Sequence, residues 1–185
     1  MRPTREQAKE NRQRILDAAG RLFRENGIHS VGVDAVMKGA GLTHGGFYGH
    51  FKSKGDLTAE AMSNVMRQAF EQEPEYTSLE DFASVYLSGE HRDGAGVGCV
   101  MAALAPEIAR LPEGERGSIS DYIRKRITQI EHLQAASGGK PDRARAIADL
   151  SSLVGALVMA RAVDDKELSD EILAQTRAAL ANGGA

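Results

Sequence analysis

The sequence reads as an all-α protein: an N-terminal three-helix helix-turn-helix domain, residues 1–54, followed by a helical body, residues 55–185. Three observations point there. Apolar residues recur at helical spacing, as Ile15, Leu16, Ala19, Leu22 and Phe23 do at offsets 0, 1, 4, 7 and 8. No segment of length alternates apolar and polar residues at period two, which a half-buried strand would require. The helical segments are separated by short turns rich in glycine, proline and serine, the connection lengths of a helical bundle.

The elements follow in order. A first helix spans about Arg5 to Asn26 and stops at Gly27, a residue suited to a left-handed cap. A second, about Val33 to Ala40, is followed by a turn through Gly41 and Leu42. A third runs from about His44 to Gly49, with Thr43 as its N-cap. Ser53 and Asp56 have the capping-box spacing and open a fourth helix of roughly 18 residues, which ends before Pro74. Further helices are expected at about 78–90, 100–111 and 115–136. Ser137-Gly138-Gly139-Lys140-Pro141 makes a turn, and Pro141 suits the first turn of a helix at about 141–163. The last helix covers about 168–181 before a frayed Asn182-Gly183-Gly184 tail. That makes nine helices.

Composition excludes several classes. A single cysteine makes no internal disulfide and supplies no multi-thiolate zinc site. No apolar run approaches the ~18 residues of a membrane span, and the charged start of the chain lacks an apolar signal core. A soluble, cytoplasmic protein is therefore expected. The net charge of −3 conceals an asymmetry: residues 1–54 hold ten Lys/Arg against five Asp/Glu, and residues 55–185 hold thirteen against twenty-one. A basic head on an acidic body suits a protein that presents only its head to phosphate, although an uneven surface alone has the same arithmetic.

The stretch from Val33 to Phe51 carries most of the information. Two short helices flank a glycine turn, the pattern of a helix-turn-helix. Val36, Ala40, Leu42, Phe47 and Phe51 would form its internal core. Thr43, His44, Gly45, Gly46, Tyr48 and His50 are left on or near the exposed side of the second short helix, where such motifs reach base edges. Thr43 and His44 can exchange hydrogen bonds with bases or phosphates. Gly45, Gly46 and Gly49 each weaken a helix by up to ~1 kcal/mol relative to alanine. Either another molecule must approach the backbone closely, or the helix packs tightly on its neighbour. Tyr48, His50, Lys52 and Lys54 stand where phosphates would be held; Lys52 and Lys54 would otherwise be solvated charges.

Residues 11–60, and above all Gly41-Leu42-Thr43-His44-Gly45-Gly46-Phe47-Tyr48-Gly49-His50-Phe51-Lys52-Ser53-Lys54, resemble the DNA-binding domain of the TetR family of bacterial transcription regulators. Thr-His-Gly-Gly-Phe-Tyr is similar to one subgroup of that family. Gly39 departs from the usual helix former and Gly55 from the common acidic residue, departures that would loosen the second helix and the start of the fourth. Gly98 to Leu104 and Gly155 to Val163 resemble later regions of the same subgroup.

The resemblance implies a homodimeric repressor without a cofactor or catalytic site, acting on a palindromic double-stranded DNA operator and answering to an unknown small-molecule effector. It places Val33, Thr43, His44, Gly45, Gly46, Tyr48, His50, Lys52 and Lys54 at the DNA. It also implies an effector cavity in the body and a dimer made by the last two helices. Candidate cavity residues by position are Phe82, Tyr86, Cys99, Met101, Leu104, Tyr122 and His132, although aromatic and methionine residues at helical spacing also build cores. Leu150, Leu153, Val154, Leu157, Val158 and Ile172 are the dimer candidates; a buried core is the other use of such a helix.

Other signals point elsewhere only weakly. Gly94-x-Gly96-x-Gly98 follows no strand and lacks dinucleotide-loop spacing. Glu90-His91-Arg92-Asp93 has no organised metal-ligand pattern, and no catalytic triad stands out. Cys99, near a helix start, is open to two readings: a packed small residue, or a thiol that senses electrophiles or oxidants. A small helical enzyme and a plain interaction module remain the rivals to a DNA-binding regulator.

Overall fold

Thr4 starts the first helix with a reciprocal cap. Its hydroxyl accepts from the Gln7 amide at 3.2 Å, and the Gln7 side chain accepts from the Thr4 amide at 2.9 Å. The computed structural model describes residues 4–111, 116–136 and 140–182. Among them are helices α1 (Arg5–Asn26), α2 (Val33–Gly39), a 3₁₀ helix (His44–Gly49), α3 (Lys54–Glu71), α4 (Leu79–Tyr86), α5 (Gly89–Asp93), α6 (Val100–Ile108), α7 (Gly117–Ala136), α8 (Arg143–Ala162) and α9 (Lys166–Ala181), and no strand. None of these helices is long and apolar enough to cross a membrane.

The all-α expectation holds, with local corrections. The third helix is 3₁₀, and Thr43 sits at its N-cap position without a side-chain capping bond. The helix expected over 78–90 is two helices, because Leu87 leaves helical backbone and Ser88 caps a new start by accepting from the His91 amide at 3.1 Å. Pro141 precedes the N-cap rather than occupying the first turn; Asp142 caps α8 through the amides of Ala144 and Arg145. The last helix begins at Lys166, capped by Asp165. Gly27 has positive φ (83°) with extended ψ (151°), so it ends α1 without a left-handed helical cap. The expected turn at Ser137, Gly138 and Gly139 and the tail glycines Gly183 and Gly184 lie outside the described residues.

Serine with aspartate three residues on recurs as a start signal. Ser53 accepts from the Asp56 amide at 3.1 Å while the Asp56 carboxylate accepts from the Lys52 amide. Ser78 and Asp81 repeat the arrangement at α4, with the carboxylate on the Thr77 amide. In both, the acid reaches one residue upstream of the cap.

Two hydrophobic clusters result. The first joins α1, α2, the 3₁₀ helix, α3, α6 and the start of α7; Ile15, Phe23, Phe47, Leu57 and Leu104 are almost wholly buried in it. Each such side chain contributes roughly 1.5–3 kcal/mol relative to exposure. The second joins α4, the rest of α7, α8 and α9 around Phe82, Ile130 and Leu153. The first cluster runs through the position where the charge balance changes, since Leu57, Ala61 and Val65 of α3 pack with the residues of the head.

α1 and α3 meet at Gly20, where an added Cβ would stand 2.4 Å from Val65 Cγ2. Replacing Gly20 with alanine is expected to cost about 1–3 kcal/mol in overpacking, partly offset by up to ~1 kcal/mol of helix propensity. Urea unfolding should show a net loss for Gly20→Ala and recovery when Val65→Ala is added. A stabilised Gly20→Ala protein would contradict the close approach.

Candidate nucleic-acid interface

The 3₁₀ helix is held from behind. Phe47 and Phe51 are buried, with ring centroids 5.8 Å apart, and Val36, Met37 and Ala40 of α2 are buried alongside. Leu42 packs against the same cluster, half-buried. Gly41 adopts φ 69° in the connecting turn, as expected for a residue free to enter the left-handed region. With Phe47 fixed inward, the residues around it face out. Thr43, His44, Gly45, Gly46, Tyr48 and Gly49 are all exposed, Tyr48 by 73%. The Tyr48 ring stands edge-on to Phe47 at 5.2 Å, so an aromatic side chain is both solvent-facing and anchored.

The glycines separate the two readings left open by sequence. A Cβ at Gly45 or Gly49 would meet nothing within 4 Å, and at Gly46 only the Met37 methyl at 3.6 Å. None of the three has positive φ. Neither packing within the chain nor backbone conformation calls for them. Their low helical propensity accords with the 3₁₀ form, and their effect is an exposed strip of bare backbone. Gly39 behaves oppositely: a Cβ there would stand 3.3 Å from Leu22 Cδ1, so it serves the approach of α2 to α1.

The flanking residues are more constrained. Val33 is half-buried at the start of α2 and packs against the first cluster. His44 pairs through Nδ1 with Asp34 at the start of α2, a partner that sequence reasoning missed. His50 is half-buried beside Phe51, and Lys52 is exposed. Lys54 is half-buried and donates from Nζ to the His29 carbonyl at 3.4 Å. Arg12, also unanticipated, lies 4.7 Å above the Phe51 ring and pairs with Glu60, tying α1 to α3 behind the motif.

Besides its contacts with α3, the head makes polar contacts with α6 and the segment before it. Glu107, near the end of α6, accepts from the Ile28 and His29 amides at 2.9 and 3.3 Å. Arg24 of α1 donates from Nε to the Gly96 carbonyl at 2.9 Å. Between head and body lies a cleft of about 1090 Å³. Four of the seven positional candidates line it: Phe82, Tyr86, Cys99 and Tyr122. Leu104 is buried in the first cluster and Met101 packs against it, whereas His132 is exposed on α7; these three do not line the cleft.

Electrostatics in the cleft are set by burial. It raises the Tyr86 phenol well above its ordinary value, with the neighbouring Cys99 thiol adding to the effect, and it lifts Tyr122 to about 12. His91 is fixed in one tautomer: Nε2 accepts from the Cys99 amide at 2.9 Å, so Nδ1 carries the proton and donates to the Tyr86 carbonyl at 2.7 Å. Burial lowers its affinity for a second proton.

On α8 and α9 the dimer candidates divide. Leu153 and Leu157 are buried within the chain's own core, Leu150, Val154 and Ile172 are half-buried, and Val158 is exposed. Ile147, Met159 and Leu168 are further exposed large apolar residues on the same two helices.

A buried phenylalanine pair holding an exposed, glycine-rich helix after a tight turn defines a helix-turn-helix protein with an all-helical body. Comparison with known proteins narrows the class. The profile of the family described as bacterial regulatory proteins, tetR family, matches residues 15–61. The HTH-type transcriptional regulator AcrR of Shigella flexneri is 48% identical over 59 residues, covering 32% of this chain and 27% of the relative. An HTH-type transcriptional regulator of Staphylococcus aureus strain USA300 is 45% identical over 53 residues, 29% of each chain. The chain thus matches under a third of the length of these curated relatives.

Structural likeness extends further. A TetR-family regulator of Agrobacterium tumefaciens shares the fold with a TM-score of 0.74 at 24% identity, covering 92% of this chain and 97% of that one. A TetR regulator of Chloroflexus aurantiacus also gives 0.74, at 20% identity over 95% and 96% of the two chains. Residues 15–61 thus match the TetR-family DNA-binding domain in sequence, and the described chain shares the fold of TetR-family regulators.

Two outcomes are expected. Tyr48→Ala should leave the unfolding midpoint nearly unchanged, since the ring is exposed, whereas Phe47→Ala should cost about 3–5 kcal/mol; chemical denaturation checks both. His91 binds its proton more weakly folded than unfolded, so its contribution to stability is present above the unfolded value near 6.5 and is lost as pH falls from there through the lower folded value. Between about pH 8 and pH 5, His91→Gln should flatten part of the acid-side decline in stability; an unchanged slope would contradict this.

Proposed function

We propose that the protein is a sequence-specific DNA-binding transcription regulator, a ligand-responsive repressor that acts as a homodimer on a palindromic operator. The observation that carries this reading is the exposed glycine strip of the 3₁₀ helix, which neither packing nor φ within the chain explains. Close approach of the backbone to a major-groove edge does explain it. Thr43 and His44 would reach base edges, and Tyr48, His50 and Lys52 phosphates. Val33 would sit beside them at the start of α2. Lys54 would exchange the His29 carbonyl for a phosphate. The acidic body would face away from the duplex.

The dimer seam would run along α8 and α9. Val154, Val158, Leu150 and Ile172 remain in it, joined by Ile147, Met159 and Leu168; Leu153 and Leu157 are already spent on the chain's own core. Two-fold symmetry then fixes the distance between the two heads and so the spacing of the operator halves. An effector that favours a dimer with wrongly spaced heads would release the DNA through its differential affinity for the two shapes. The proteins this chain matches carry regulator names, which supports a regulator over an enzyme.

The test is a fluorescence-anisotropy titration of palindromic fragments from the protein's own upstream region, alongside genomic fragments selected by binding. Selective binding should weaken steeply as salt rises. Tyr48→Ala with Lys52→Ala should abolish it while the dimer persists, and Val154→Asp with Val158→Asp should yield folded monomers with weak binding. Absence of any sequence-selective, salt-dependent binding would overturn the reading.

A further inference from the structure

The cleft between head and body has two chemically different ends. Its body end is aromatic: Tyr76 stands edge-on to Phe82 at 5.0 Å between centroids, and Phe82 lies 5.5 Å from Tyr86. The cations there are already committed. Arg126 holds Glu73 through both carboxylate oxygens at 2.6 and 2.7 Å, and Arg24 is bound to the Gly96 carbonyl. Val85 and Val97 add exposed apolar surface to the same lining.

The head end is cationic. Arg14 of α1 and Lys38 of α2 both line the cleft, and neither has an ion pair among the described residues. The Arg14 guanidinium reaches so near Gly41 that a Cβ there would stand 2.7 Å from its Nη2, which places it beside the end of α2 that carries Lys38. Its one hydrogen bond among the described residues is a long one, 3.4 Å to Asn11. Arg21, nearby, is matched by Glu25. The acids that line the cleft do not neutralise this end fully: Asp17 is held by the side-chain amides of Gln13, Asn64 and Gln68, Glu73 is held by Arg126, and Glu90 comes from the α5 side.

We propose that the cleft binds a small amphipathic carboxylate, with its apolar body among Tyr76, Phe82 and Tyr86 and its charged end between Arg14 and Lys38. The volume suits such a molecule, and an aromatic wall with a few convergent polar groups is the usual make-up of a ligand site. The proposal rests on the reading of the protein as a ligand-responsive regulator and supplies the chemical class of the ligand. It also makes the ligand a bridge. One molecule would touch α1 and α2 of the head and α4 of the body at once, so binding would act on the orientation of the head directly. A cationic ligand with the same body would be repelled at the head end, and a neutral one would leave both cations unpaired.

The experiment uses the full chain and three probes with one body: 6-phenylhexanoate, its primary amide, and 6-phenylhexylamine. Binding is read from the shift of the thermal unfolding midpoint and from tyrosine fluorescence. The carboxylate should bind about tenfold tighter than the amide, the difference a charge-assisted contact supplies, and the amine should bind most weakly. Arg14→Gln with Lys38→Gln, both surface changes, should bring carboxylate and amide to equal affinity without altering the amide. Phe82→Ala should weaken both. Equal binding of all three probes by the unaltered protein, no binding of the carboxylate, or a double variant that keeps its preference for the carboxylate would each overturn the proposal. An operator titration without probe separates the two readings. Selective DNA binding without probe binding defeats the ligand class alone, and probe binding without DNA binding defeats the regulator reading alone.

Discussion

The structure depends on the double use of α1. One face of this helix, through Ile15, Ala19 and Phe23, completes the small core of the helix-turn-helix and packs on α3 in the same continuous cluster. A three-helix head of this size buries too little apolar surface to be firm alone. Sharing a core with α3 and α6 corrects that, but it also means that the head cannot turn as a free body. Any movement of the motif relative to the body must pass through repacking along α1 and α3, or through the polar contacts at the rim of that core.

A contact with the head and a contact at the cleft sit at the two ends of one short helix. The N-cap residue of α6 is Cys99, whose amide is held by His91 at the cleft; near its other end Glu107 holds two amides of the connection between α1 and α2. Helix α6 is thus a strut between the cavity and the back of the motif. The Ile28 and Cys99 contacts are partly buried, and an amide shut off from water costs roughly 1–3 kcal/mol to leave unpaired, so a shift of α6 is resisted until another arrangement satisfies them. Rigid parts with discrete pairings of this kind have two arrangements rather than a continuum.

Much of this was legible in the residues. The helix-turn-helix could be read because its constraints are local: a glycine at the turn, two phenylalanines four residues apart, and a serine cap with an acid beyond it. The bounds of α1 and α3 follow from Gly27 and Ser53 for the same reason. What escaped reading depended on distant partners. Arg12 over Phe51, Asp34 on His44, and Glu107 on Ile28 and His29 join residues that local spacing cannot connect. Leu153 and Leu157 show the same limit, because a fully apolar helix face does not say which part of it the chain's own core consumes. The helix expected over 78–90 ran straight across the break at Leu87 and Ser88, where a serine cap starts a new helix.

The open space around Gly45 and Gly49 has a further consequence. A side chain added at either position would displace nothing in the protein, so folding imposes almost no veto there. The phenylalanine anchors Phe47 and Phe51, two positions away, are the reverse case, where nearly every change is punished. Under the proposed function, recognition and folding are written in interleaved but separable letters from Gly45 to Phe51. On that reading, substitutions at Gly45 and Gly49 would change what the motif contacts without first requiring spare stability, and the scaffold behind it need not be altered.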